Sequence, residues 1–200
     1  MTEKSYTIAG WLSIALAVFL PLLFAVGLAE NFIGKHMMGI ADSGFGLEKL
    51  ATAVIAAVII FILLMLRKLL NERYRFTKAN RVITFAIIWY IVFTLVSFVM
   101  IFFADTTWPA PDTTSLIALI TFWIISMTSL GIIEIFLGLR LLRLKEKKNE
   151  LIKVFAFVTL GTGVLELTVV LSPLALVLMP VWCVTAAMLF LREKDEEQIL

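Results

Sequence analysis

Residues 82–104 read VITFAIIWYIVFTLVSFVMIFFA, an unbroken run without a charged side chain. A helix of this length rises far enough to cross the hydrocarbon core of a bilayer, which takes about 20 residues. A helix that is apolar on every side also has no face suited to water. This stretch therefore predicts a transmembrane helix.

Three more charge-free stretches lie on either side of it, at residues 5–29, 50–66 and 113–133. The 200-residue chain is 62% apolar and 16% charged, and its mean hydropathy is +1.03, whereas a soluble domain is about 45 to 50% apolar. No polar stretch is long enough to fold by itself, so we expect no soluble domain. The sequence predicts an all-α, polytopic integral membrane bundle, with residues 1–200 as one transmembrane domain.

The number of spans depends on residues 154–191, which carry one charge and are too long for one transmembrane helix. Ser172-Pro173 divides them, because proline ends the backbone hydrogen-bond ladder and restricts the residue before it. The alternative is five spans, with residues 167–191 as one kinked helix and residues 154–165 at the membrane interface. We predict six spans, at about residues 7–29, 50–67, 82–104, 114–139, 154–171 and 174–191.

Basic residues are divided unequally between the two sides of the predicted bundle. With six spans, 15 of the 17 Lys and Arg side chains fall on one side, and only Lys35 and Lys49 fall on the other. Cytoplasmic loops carry such an excess of positive charge. We therefore expect both termini to be cytoplasmic, and we expect the protein in the cytoplasmic (inner) membrane of a prokaryote.

The sequence offers few of the residues that enzymes and metal sites require. One cysteine and one histidine supply neither a disulfide nor the paired histidines of a b-type haem, and no zinc-peptidase, phosphate-loop or nucleophile motif occurs. His36 lies near Glu30, Asp42 and Glu48, but this spacing is not that of a tight metal site. We expect no enzymatic activity, no cofactor and no metal, and a net charge of +2 does not indicate nucleic acid binding.

Two carboxylates within the predicted spans, Glu134 and Glu166, are the candidate polar sites. Ionisable groups in a membrane are costly, which makes them functional hypotheses by default. Glu134 shares a helix face with Gly131 and Gly138, and Glu166 shares one with Gly163. Small residues permit close helix packing, so we expect both acids to point inward between the fourth and fifth helices.

The depth of these two acids argues against direct pairing. Glu134 is about 9 Å from Arg140 along its helix, whereas Glu166 is about 20 Å from Lys153, which predicts a stagger. Two interpretations stay open. The acids form steps of a proton or cation path, or they are protonated structural groups that bond to neighbouring helices, with Glu134 extending toward a basic residue at its helix end.

Two further groups of side chains are candidate contacts. Three tryptophans lie within spans rather than at the interfaces, where they fill gaps in the bundle or line a site for a lipid or apolar ligand: Trp89, Trp123 and Trp182. Basic residues next to the membrane attract anionic lipid at about 1 kcal/mol per charge. The candidates for this contact are Arg67, Lys68, Arg73, Arg75, Arg140 and Arg143.

Two classes of function follow from these observations. The first is a non-catalytic accessory, assembly or structural membrane component, whose partners are the lipid bilayer and either copies of itself or another membrane protein. The second is a small proton- or cation-coupled transporter or channel that uses Glu134 and Glu166, and a lipid-binding role is a further alternative. A transporter needs a polar, water-accessible cavity that reaches the acids, whereas an accessory component does not. Few polar residues lie in the predicted spans, which favours the first class.

Overall fold

The computed structural model describes residues 2–29, 47–107, 113–144, 150–168 and 171–197. These residues form six α-helices, and none of them is in a β-strand. The helices are α1 (Thr2–Ala29), α2 (Leu47–Glu72), α3 (Asn80–Thr107), α4 (Thr113–Leu142), α5 (Glu150–Leu167) and α6 (Ser172–Glu197). The all-α prediction is confirmed.

Within the described ranges, four helical stretches are long and apolar enough to cross a membrane, and they lie in α1, α2, α3 and α4. The fifth helix is shorter and carries Glu150, Lys153 and Glu166. The last helix contains a shorter apolar stretch, Val177–Leu191, before its charged end. In such apolar stretches a helix satisfies every backbone polar group within itself, which is why uninterrupted helices form there.

The break between α5 and α6 lies slightly before the predicted position. The fifth helix ends at Leu167, and Ser172 already begins α6, so Pro173 occupies the first helical turn rather than a turn between helices. A proline is well tolerated there, because the missing N–H has no partner in the first turn anyway. The alternative of one continuous helix over residues 167–191 is therefore wrong.

The six helices form a closed ring. Each helix packs against its neighbours in the sequence, and α6 packs against α1, with the most extensive contacts between α4 and α5 and between α1 and α6. Leu63, Ile83 and Cys183 are among the buried side chains of the core. Large apolar side chains also remain exposed on the outside of all six helices, including Trp11, Leu64, Phe85, Phe136, Phe157 and Val177.

Contacts between helix ends bring the basic segments to one end of this ring, which we call the basic end. Tyr6, near the start of α1, donates a hydrogen bond to Glu72 Oε2 at the end of α2 at 2.9 Å and stacks on Phe190 near the end of α6. Arg67 donates to Thr84 Oγ1 at 3.2 Å and thereby joins the end of α2 to the start of α3. The starts of α1 and α3 thus lie beside the ends of α2 and α6.

Candidate functional site

The candidate site is built on a close contact between α4 and α5. A Cβ atom placed on Gly131 would lie 2.7 Å from the carbonyl oxygen of Gly163, and one placed on Gly163 would lie 2.7 Å from the carbonyl oxygen of Gly131. Gly138 meets the backbone of Ala156 in the same way. The two antiparallel helices therefore touch backbone to backbone, which only glycine permits at these positions.

Both carboxylates lie on this contact. A Cβ on Gly163 would approach the Glu134 Cβ to 2.9 Å, and a Cβ on Gly131 would approach the Glu166 Cβ to 3.3 Å. Each acid thus lies opposite the glycine one turn before the other acid. The side chains are 9% and 4% exposed, respectively, so both acids point inward as expected.

The register corrects the predicted stagger. Because Gly131 meets Glu166 and Glu134 meets Gly163, the two acids are offset by three residues, or about 4.5 Å along the helix axes. The larger stagger was wrong because it assumed that Arg140 and Lys153 lie at equal depth, whereas this register places Arg140 about four residues deeper. The two carboxyl groups are near neighbours across the glycine contact.

One oxygen of each carboxyl group is buried without a partner. Among the residues that the structure describes, Glu134 Oε2 and Glu166 Oε2 accept and donate no hydrogen bond. Buried polar atoms nearly always have a partner, because an unsatisfied one costs about 1 to 3 kcal/mol and more when it is charged. If the two acids serve only to bond to a neighbouring helix, the burial of each Oε2 without a partner among the described residues has no explanation.

A small cavity lies beside Glu134 in the centre of the ring. All six helices contribute to its wall, and it offers about 20 Å³ to the centre of a water-sized molecule. That volume holds about one water molecule. Most of the lining is apolar, and the groups with polar atoms are Tyr90, Glu134, Thr159, Trp182 and Cys183.

A chain of hydrogen bonds fixes one side of this cavity. The indole Nε1 of Trp182 donates to Thr159 Oγ1 at 3.1 Å, and the same hydroxyl donates to the Phe155 carbonyl oxygen at 2.8 Å. Trp182 on α6 thus has the interhelical partner that a buried indole requires. It also packs against the Phe155 ring, with 5.3 Å between ring centroids.

The other two candidate tryptophans lie elsewhere. Trp89 stacks on Phe93 with 5.0 Å between centroids, and Phe93 in turn stacks on Phe122 of α4 at 5.6 Å. Trp123 is 53% exposed on the outer surface, so it fills no gap inside the ring. Neither lines the cavity, whereas Tyr90, next to Trp89, does.

The sequence pattern did not indicate Tyr90 or Cys183 as site residues. Helix α3 is apolar on all sides, so its composition does not indicate which face points inward. The only available signal is the spacing of Ile83, Ala86 and Tyr90, which follows one helix face. Two of these three side chains, those of Ala86 and Tyr90, line the cavity.

The candidate lipid-binding cations have two different environments. Arg67, Lys68 and Arg73 contact the bundle itself, through Thr84, through Glu72 at 3.9 Å and through the Tyr6 ring, respectively. Arg75 and Arg143 are exposed at the basic end, and Arg140 is half-buried. Exposed cations are the better candidates for anionic headgroups, because lipid can reach their side chains.

Glu30, His36 and Asp42 lie outside the described residues. Within the described ranges, no group of three or more His, Cys, Asp or Glu side chains is arranged to hold a metal ion. The arrangement at the centre of the ring is different, since its oxygen atoms are able to hold a proton or a small, hard cation.

The chain matches no known protein family, no curated protein sequence and no solved structure.

Proposed function

We propose that the chain is an integral membrane protein that crosses the bilayer six times, with both termini on the cytoplasmic side. Apolar side chains are exposed around the whole ring, an arrangement that a soluble monomer rarely tolerates over a large area. The basic end supplies the excess of Lys and Arg that faces the cytoplasm in such proteins. A prokaryotic inner membrane remains part of this proposal and rests on the charge pattern alone.

Within the membrane, the leading candidate function is that of a non-catalytic accessory, assembly or structural component. The observation that carries it is the small and mostly apolar interior. The helices touch backbone to backbone at Gly131 and Gly163, and the central cavity is mostly apolar and holds about one water molecule. Its partners are the lipid bilayer and either copies of itself or another membrane protein.

The second candidate is a small proton- or cation-coupled transporter or channel. Its specific support is that Glu134 lines the central cavity and that its Oε2 is buried without a partner among the described residues. The lipid-binding alternative is limited to the outer surface, since the cavity is too small for an acyl chain. Trp123 and the exposed Arg75 and Arg143 are its candidate contacts.

Reconstitution separates the two leading candidates. Vesicles that contain the purified chain should pass protons and sodium ions no faster than protein-free vesicles, and gentle purification from native membranes should yield a homo-oligomer or a complex of fixed stoichiometry. A flux that wild-type protein supports and the Glu134→Gln variant does not would reject the accessory role. The same flux would support the second candidate.

A further inference from the structure

We propose that Glu134 and Glu166 form one binding site for a single monovalent cation, either a proton or an ion of sodium's size, and that the central cavity holds the ion beside Glu134. The inference deepens the second proposed function and rests on it for its biological use. Binding at equilibrium, however, is measurable without transport.

Charge balance is the first argument. Two buried carboxylates about one helical turn apart repel each other, and each loses the stabilisation that water gives an ion. Along their own helices, the basic residues nearest to them are Arg140, about 9 Å from Glu134, and Lys153, about 20 Å from Glu166. Neither is close enough for a direct ion pair along the helix, so the pair is neutral only when one acid keeps its proton and the other holds the cation.

The chemistry of the cavity wall is the second argument. Oxygen atoms are the ligands that hard cations prefer, and three of the residues that line the cavity, Glu134, Thr159 and Tyr90, carry a side-chain oxygen. Thr159 Oγ1 donates a hydrogen bond to the Phe155 carbonyl oxygen and accepts one from Trp182 Nε1. The hydroxyl oxygen therefore keeps one lone pair. Glu134 is one of the residues that line this cavity, and its Oε2 is buried without a partner among the described residues.

The surroundings of Glu134 keep the site small and weakly polar. The titratable groups that face it are Tyr90 from α3, Glu166 from α5 and the Cys183 thiol from α6. Helices α1 and α2 contribute only apolar side chains, Leu16, Ile59 and Leu63. The available space of about one water molecule admits a proton, with or without a water molecule, or a small bare ion, and excludes organic cations.

An apolar carbodiimide tests this site on the purified full-length chain in detergent. The reagent reacts with protonated carboxyl groups in apolar surroundings, so an ion that replaces the proton protects the carboxyl group. We expect Glu134 to be modified at low sodium and mildly acidic pH, as read by peptide mass spectrometry. Above the pH of half-labelling, the rate should fall about tenfold per pH unit, as one proton per site requires.

Sodium chloride distinguishes the two ions. If the site takes sodium, added sodium at constant ionic strength should slow the labelling of Glu134 relative to choline; if it takes only protons, pH alone should do so. Slowing by sodium supports a site for sodium, whereas a response to pH alone identifies the ion as a proton, and the Glu166→Gln variant then decides whether both acids form the site. Absence of labelling at Glu134, or labelling that responds to neither sodium nor pH, would overturn the proposal.

Variants test whether the two acids act as one site. Glu166→Gln removes a neighbouring negative charge, so the half-labelling of Glu134 should move to lower pH. Glu150→Gln, at the exposed start of α5, is the matched control and should leave the profile unchanged. An unchanged profile in a stably folded Glu166→Gln variant would refute the pairing, and the wild-type measurements stay decisive if that variant does not fold.

The outcome also separates this site from the transport function. Ion-dependent labelling without any flux in vesicles would reject only transport. Flux without ion-dependent labelling of Glu134 would reject the site while leaving transport in place.

Discussion

Single residues decide how closely α4 and α5 approach, and therefore where the two carboxyl groups lie. Gly131 and Gly163 face each other's carbonyl oxygen, and neither backbone can move aside without shifting a whole helix. The sequence predicted this close packing from the glycine spacing. It did not predict the register, because that depends on which glycine meets which across the interface.

Gly163→Ala should lower the free energy of unfolding in detergent by about 1 to 3 kcal/mol, the usual effect of overpacking a filled interior. The added Cβ would lie 2.7 Å from the Gly131 carbonyl oxygen and 2.9 Å from the Ile135 nitrogen. Gly161→Ala is the control on the same helix, because its Cβ would meet only Leu178 Cδ1 at 3.7 Å. Equal stabilities of the two variants would contradict the backbone contact.

Trp182→Phe should remove the hydrogen bond to Thr159 and reduce stability by about 0.5 to 1.5 kcal/mol. The same substitution at Trp123, which is exposed on the outer surface, should change thermal stability little. Thermal unfolding followed by circular dichroism measures both variants. A Trp123→Phe effect as large as that of Trp182→Phe would argue that the two residues are equally buried.

At the level of helices, the sequence predicted where each helix lies in the chain better than which side of the helix points into the ring. Charge-free length located the four helices that are long and apolar enough to cross a membrane, and Pro173 located the break before α6 to within a few residues. The inner face of α3 was not predictable, because apolar side chains surround this helix and leave no amphipathic pattern. As a result, the cavity wall was only partly foreseen, and Tyr90 was missed.

The break between α5 and α6 determines on which side of the membrane the C-terminus lies. If both helices cross the bilayer, a tag after Leu200 and a tag before Thr2 should be on the same, cytoplasmic side. Protease added to intact cells should spare both tags and should remove both after the membrane is permeabilised. Removal of the C-terminal tag alone in intact cells would mean that α5 and α6 do not both span.

For the whole molecule, we propose a ring of six membrane-spanning helices with its basic end in the cytoplasm. The structure brings the basic helix ends together through contacts such as Tyr6 with Glu72 and Arg67 with Thr84. Grouping by parity was available from the sequence, since connections alternate between the two sides of a membrane. The closure of α6 on α1 was not, because nothing in the sequence states which distant helices meet.

Cysteine accessibility in a Cys183→Ser background measures which side of the membrane the basic end faces. Single cysteines replace Thr77, in the exposed connection between α2 and α3, and Thr107, at the end of α3, and an impermeant thiol reagent is added to intact cells. We expect labelling at Thr107→Cys only, with Thr77→Cys labelled after permeabilisation. Labelling of Thr77→Cys in intact cells would contradict it.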